Sequence, residues 1–196
     1  MAGKLDLLSG DHPLAYVFWH WPRPDVPVPL YEAKLVSFMQ GLSSDGEPGL
    51  VDALSFRVGP LPWGPQNAVF YEDWYVLKDF ASLGFLNDGA ISGSAGMAHD
   101  SIVKDFMKGT GSVFRLVSGG LPLRESRVVT WTEKPIGPSY ESYYDELAKI
   151  TAGSRVDLWR RQLALGPSQQ FCIHSEEPLR IPPSFKPLTS RAEPVH

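Results

Sequence analysis

Cysteine occurs once in the 196 residues, at Cys172, which excludes an intrachain disulfide and a cysteine metal cluster. Long hydrophobic runs are also missing. No apolar stretch approaches the roughly 20 residues that a membrane-spanning helix needs, and Met1–Asp11 lacks the charged segment and apolar run of a signal peptide. Positive charge is not in excess. Eighteen Lys and Arg against 22 Asp and Glu leave a net charge of −4 at pH 7, without the basic stripe of a nucleic-acid binder. GxGxxG, P-loop, HExxH, GxSxG and CxxC patterns do not occur, and Gly93-Ser-Ala-Gly96 and Gly109-Thr-Gly111 are too short to cradle a phosphate. These absences leave a soluble, cytoplasmic protein with no nucleic-acid or membrane partner and no expected resident metal.

What the chain has is apolar and aromatic mass: 43% hydrophobic residues and six Trp, enough for a core and for a pocket that takes a flat apolar ligand. Its central stretch is Ala68–Leu77 (AVFYEDWYVL), rich in β-branched and aromatic residues and carrying Glu72 and Asp73 side by side. Neighbours on a strand point to opposite faces, so the two carboxylates enter different environments. A carboxylate buried there is either satisfied by a partner or part of a site.

Leu14–Trp21 reads as a first strand, followed by a connector with Pro22, Pro24, Pro27 and Pro29. Tyr31, Leu35, Phe38 and Leu42 then recur at helical spacing. Val51–Val58 is the second strand and Ala68–Leu77 the third. Asp79 is the N-cap of a short helix from Phe80, and a second runs over Met97–Lys108, ended by Gly109 and Gly111. Ser112–Val117 and Arg127–Trp131 are strands, Ser139–Ile150 is an amphipathic helix, and Val156–Leu165 and Gln170–His174 are the last strands. Residues 178–196 hold five prolines and read as a tail that packs on the surface or stays disordered.

The order repeats. Val17-Phe-Trp19, prolines and a Tyr-bearing helix are echoed by Val129-Thr-Trp131, Pro135, Pro138 and the Tyr140 helix. Phe56-Arg-Val-Gly-Pro60 is echoed by Leu163-Ala-Leu-Gly-Pro167. The first unit is β-α-β-β-α-β, the ferredoxin-like order, and the second is β-α-β-β. The expected fold is therefore α+β, with antiparallel sheets forming a barrel-like pseudo-dimer. It divides into an extension (1–13), a ferredoxin-like unit (14–120), a partial repeat packed on it (121–177) and the Pro-rich tail (178–196). As third strand of its unit, Ala68–Leu77 is expected at a sheet edge.

With this order and the aromatic opening Val17-Phe-Trp-His-Trp-Pro22, the chain resembles the dimeric α/β-barrel superfamily. That group includes cofactor-free monooxygenases, isomerases and cyclases, EthD-like and NIPSNAP-like proteins, and haem proteins such as chlorite dismutases and aldoxime dehydratases. The resemblance implies a small-molecule-binding barrel, cofactor-free, acting on an apolar or aromatic substrate. Haem is the alternative cofactor. A second alternative is a non-catalytic module whose sheet face is a homo-oligomer interface.

Polar groups planted among aromatics supply the candidate site. His20 shares a face with Tyr16 and Phe18 and, if that face is the barrel interior, can serve as a general base. Arg57 and Arg115 stand mid-strand among apolar residues and each needs an anion, with Glu72 and Asp73 as the expected partners. His20, Arg57 and Asp73 are the candidate catalytic residues. Tyr71, Tyr75, Arg115, Trp19 and His174 are candidate binding residues. His20, Arg57, Tyr71, Asp73 and Arg115 are expected to line the cavity. His99, on a helical face with Ile102, Val103 and Phe106, is the axial ligand if haem binds and otherwise a core histidine. Cys172, between Phe171 and Ile173, reads as an inert buried thiol.

Overall fold

The structure is a computed structural model that describes residues 12–162 and 166–196, the side chain of Met107 excepted. β1 (Leu14–Pro22) leads through the proline connector into α1 (Val28–Asp45). Pro29 stands in the first helical turn, where a missing N–H costs nothing, and Gly46 ends the helix in the left-handed conformation, φ 67°. β2 (Leu50–Val58) and β3 (Phe70–Leu77) follow. Asp79 caps α2 (Phe80–Gly89) as expected, its Oδ1 accepting the Ser82 N–H at 2.9 Å. α3 (Gly93–Val103) and β4 (Phe106–Gly119) complete the first half. The second half is β5 (Val128–Thr132), α4 (Tyr140–Ile150), β6 (Val156–Arg161), β7 (Phe171–Ser175) and β8 (Leu188–Pro194).

Every strand pairing is antiparallel, and the eight strands close into a barrel in the order β1-β3-β2-β8-β5-β7-β6-β4. Cut at its two seams, the ring gives β4-β1-β3-β2 and β8-β5-β7-β6, the same ferredoxin-like order twice. This is the α+β pseudo-dimeric barrel that the order of elements predicts. The strands all come from one chain, so the inward sheet face is closed without a second copy.

Four expectations about elements need correction. The tail is not merely a surface cover: Leu188–Pro194 pairs with β2 through Val58↔Ala192 and with β5 through Val128↔Arg191, closing the barrel. Pro194 is tolerated because it stands at the end of the strand. β3 is not an edge strand but lies between β1 and β2, because the ferredoxin-like order places its third strand inside. The helix expected over Met97–Lys108 begins at Gly93 and ends at Val103. β4 then starts at Phe106, and Gly109 and Gly111 lie within it rather than ending a helix. A Cβ at Gly109 would stand 2.1 Å from the Phe18 ring, and one at Gly111 would stand 2.7 Å from the Tyr16 hydroxyl, so both glycines make room for aromatic rings of β1. The end of the expected Val156–Leu165 strand and most of the Leu163–Pro167 echo lie outside the described residues, as do residues 1–11 of the extension.

Strand alternation sorts the side chains into two layers. Val17, Trp19, Phe56, Trp74, Phe114, Trp131 and Trp159 fill the barrel. Tyr31, Leu35, Phe38, Tyr71, Tyr75, Ile102 and Val113 form the layer between the first half's sheet and its helices. In the second half, Tyr143 packs on Phe171 and Phe185 with ring centroids 4.8 and 4.7 Å apart, so chain from the tail fills the space that a second helix would cover.

Candidate functional site

Between β1, β3 and β4 and the helices α1, α2 and α3 lies a cavity of about 710 Å³. Its wall is apolar and aromatic over most of its extent, built from Phe18, Phe38, Phe80, Leu83, Ile102 and Phe106, with Tyr16, Asp73, Tyr75, Asn87 and His99 as its polar members. Size and lining are those of a small-molecule site. The local reason is the period of two on the strands. Tyr16, Phe18 and His20 of β1 and Tyr71, Asp73 and Tyr75 of β3 all point toward the helices, in register as Tyr16↔Tyr75, Phe18↔Asp73 and His20↔Tyr71.

Asp73 is the polar centre of this wall and is 2% exposed. Its Oδ2 accepts the Tyr75 hydroxyl at 3.0 Å and lies 3.0 Å from His20 Nε2, a contact without an aligned hydrogen bond. Its Oδ1 is buried and has no hydrogen-bond partner among the described residues. A buried carboxylate oxygen left unpaired is costly. Behind Asp73, His20 Nδ1 meets the Tyr31 hydroxyl at 2.6 Å, and the His20 ring stacks on Tyr71 at 5.4 Å. Burial raises the phenol pKa values of Tyr16, Tyr31 and Tyr75, with Asp73 adding to each shift, so all three hydroxyls stay protonated.

The predicted site residues divide between regions. Asp73, Tyr75 and His99 line the cavity, and His20 stands directly behind Asp73. The His20 face is the helix side of the sheet, not the barrel interior, because Ala15, Val17 and Trp19 occupy the latter. Tyr71 lies in the same layer, but its hydroxyl donates to Glu32 Oε1 at 3.0 Å. Arg57 also binds Glu32, through Nε at 3.0 Å and through Nη2, so neither Glu72 nor Asp73 is its partner. Sequence order could not show that α1 brings Glu32 over β2. Arg115 is half-buried, with its guanidinium 5.8 Å from the centre of the Phe80 ring and no partner for Nε among the described residues.

Trp19 and His174 belong to the barrel interior, on the other side of β3 from the cavity. There Glu72, fully buried, accepts the Trp19 indole N–H at 2.7 Å through Oε2 and the Trp74 indole N–H at 2.7 Å through Oε1. Desolvation raises its carboxyl to about 7 despite these donors. His174 Nδ1 meets Ser126 Oγ at 2.9 Å, its Nε2 lies 4.0 Å from Glu72, and burial lowers it to about 3. Cys172 is buried in the same interior, which raises its thiol pKa well above the ordinary value. Residues that sequence reasoning missed include Tyr31 and Glu32. Tyr31 reads only as one more apolar position in a helical stripe, and Glu32 as a solvated one.

Haem can be tested against the donor set. His99 lines the cavity, its Nδ1 3.6 Å from Asp100 and its ring against Phe38 at 5.8 Å. The lining holds the Asp73 carboxylate and no Lys or Arg to balance two propionates. These residues suit a neutral ligand and fit a haem poorly.

The fold is that of the α+β barrels built from two ferredoxin-like halves. No family model and no curated protein matches the chain. Among solved structures it is similar to a candidate monooxygenase of Fusobacterium nucleatum, with a TM-score of 0.55 and 9% identity over 95% of this chain and 94% of that one. It is also similar to a candidate monooxygenase of Lactobacillus acidophilus (TM-score 0.54, 11% identity, 95% of each chain). An anthrone oxidase-like protein matches with a TM-score of 0.52 and 10% identity over 96% of this chain and 93% of that one. At these identities the likeness is one of fold, and it does not single out the EthD-like or NIPSNAP-like branches. Among the described residues, no helix is long and apolar enough to cross a membrane.

Proposed function

We propose that the cavity binds a flat, largely apolar aromatic molecule that presents one acidic O–H or C–H to Asp73. The observation that carries this reading is the Asp73 carboxylate, with a buried, unpartnered Oδ1, in a wall that is mostly apolar. Aromatic rings match a flat ligand, and the absence of a cation from the lining argues against an anionic one. Tricyclic aromatic ketones of the anthrone kind have the required form, and the anthrone oxidase-like neighbour supports that choice of probe.

Asp73 then acts as the general base, held by the Tyr75 hydroxyl and with His20 Nε2 in contact behind it. Breaking the substrate C–H or O–H bond leaves the electron pair on the ring system and the proton on Asp73. Return of the proton at another atom is an isomerisation. Capture of the carbanion by dioxygen is an oxygenation, with the balance CH2 + O2 → C=O + H2O, and needs no cofactor. Protonated Tyr16 stands on the same wall and can donate to the developing oxyanion.

The test is titration of the protein with anthrone and with 1-naphthol, read by tryptophan fluorescence, followed by oxygen-consumption and absorbance assays. Saturable binding that Asp73→Asn weakens by about tenfold or more is the expected result. Binding of both probes unchanged in Asp73→Asn and Tyr75→Phe overturns the reading.

A further inference from the structure

Two arginines stand where the halves of the barrel meet. On the outer face of β4, Val113 packs in the layer under the first half's helices and Val117 packs with Tyr143, Tyr144 and Leu147 of α4. Arg115 lies between these two valines on the same face. It is registered opposite Arg160 of β6, the next position on that face after Leu158. Residues directly opposite on antiparallel strands project to the same side with Cβ atoms about 5 Å apart, and like charges there are destabilising. Each guanidinium lies near an aromatic ring, Arg115 at 5.8 Å from the centre of Phe80 and Arg160 at 4.5 Å from that of Tyr140. Lys134 adds a third cation, its Nζ 5.3 Å from the same Tyr140 ring. A ring face attracts a cation but gives the N–H groups at the guanidinium edge no acceptor.

Nothing in the described chain balances this charge. Among the described residues, Arg115, Arg160 and Lys134 form no ion pair with a carboxylate. Lys134 Nζ donates to the Pro135 and Pro138 carbonyls at 2.9 and 2.6 Å, whereas Nε of Arg115 and Nε of Arg160 are both buried without a hydrogen-bond partner. Other arginines have their anions: Arg124 pairs with Asp52, and Arg155 with Glu125 and Glu176. We infer that Arg115 and Arg160 together bind an oxyanion, the phosphate or carboxylate group of a small molecule, at the seam between the two halves. A guanidinium presents paired N–H donors that match two oxygens of such a group, and two facing guanidiniums can share one anion. The bound charge then relieves the repulsion between the opposed cations and supplies the missing acceptors. This site is separate from the Asp73 cavity, with Phe80 as the residue common to both, and it does not rest on the function proposed above.

The test is ¹H–¹⁵N NMR of the arginine Nε–H groups of the full chain, titrated with inorganic phosphate and with benzoate at an ionic strength held constant by sodium chloride. The Arg115 and Arg160 signals are expected to move together on one saturable curve, while that of Arg23, an exposed residue paired with Asp25, stays in place. Arg115→Gln and Arg160→Gln each weaken binding by about tenfold or more. Tighter binding of phosphate supports a phosphate-bearing ligand, and tighter binding of benzoate supports a carboxylate. Thermal melts give a second measurement. In probe-free buffer Arg160→Gln is expected to melt no lower than the wild type, because it removes one of two opposed like charges. The probe then raises the midpoint of the wild type and not that of the variant. No saturable shift with either probe, or an affinity unchanged within about twofold in both Gln variants, overturns the site. So does an Arg160→Gln variant that fails to fold or melts well below the wild type in probe-free buffer, because the chain itself would then be satisfying the arginine.

Discussion

Glu72 and Asp73 are adjacent on β3, yet they face different surroundings. Glu72 enters the barrel, where both oxygens accept indole N–H groups at 2.7 Å among tightly packed rings. Asp73 enters the layer under the helices beside the cavity, where one oxygen has the Tyr75 hydroxyl and the other is buried with no partner among the described residues. Burial is nearly complete for both, so burial alone does not mark a site. What separates them is whether the desolvated oxygens are satisfied from within the chain. A satisfied carboxylate is part of the core, and an unsatisfied one beside a cavity is the candidate for a site.

The sharpest way to break this comparison is to damage each face in turn. Trp74→Ala removes a fully buried indole from the barrel and one donor from Glu72. It is expected to destabilise the fold by about 3–5 kcal/mol in urea unfolding, from the cavity left behind and the orphaned oxygen. Asp73→Asn is expected to do the reverse. Stability stays within about 1 kcal/mol, because the amide oxygen can still accept from Tyr75, while turnover of any substrate found falls by about a hundredfold. If Asp73→Asn unfolds the protein as Trp74→Ala does, the distinction between the two faces collapses.

Much of this was legible in the residues. Strand alternation separates Glu72 from Asp73 and groups Tyr16, Phe18 and His20 on one face, and the order of elements implies the paired ferredoxin-like halves. What was not legible depends on contacts distant in sequence. Leu188–Pro194 has little intrinsic strand preference and becomes β8 because β2 and β5 each offer it a free edge. Arg57 looked free to pair with β3 until α1 brought Glu32 over it. Alternation also leaves open which face becomes barrel interior, so His20 could be placed on a face but not in a layer. His99 suggested haem from its helical stripe, but the stripe ends at Val103, and the charges that decide the fit lie elsewhere in the chain.

A subtler probe of the barrel side is pH. The Glu72 carboxyl is raised from 4.5 to about 7, so between those values the native state holds a proton that the unfolded chain has released. Its contribution is therefore fully present below about 4.5 and is lost as pH rises through about 7. Glu72→Gln cannot titrate. The stability of wild type relative to this variant should fall by on the order of 3 kcal/mol from pH 4.5 to pH 7.5, measured by urea unfolding at each pH. Taking the difference removes the slopes of Asp157, raised to about 6, and His174, lowered to about 3, which both proteins share. A flat difference would mean that the indole donors hold Glu72 ionised throughout.

The smallest expected effect concerns Arg57, which the sequence offered as a catalytic group. Its side chain is 42% exposed and its partner Glu32 20% exposed, the setting in which ion pairs contribute little. Glu32 also keeps the Tyr71 hydroxyl when Arg57 is removed. Arg57→Ala should therefore cost less than about 1 kcal/mol and leave the affinity for aromatic probes within about twofold. The comparison between faces turns on this result as well. A tenfold loss of affinity would mean that the Glu32–Arg57–Tyr71 cluster acts on the ligand, extending the functional surface along β3 past His20. An unchanged affinity confines it to Asp73 and the groups that touch Asp73.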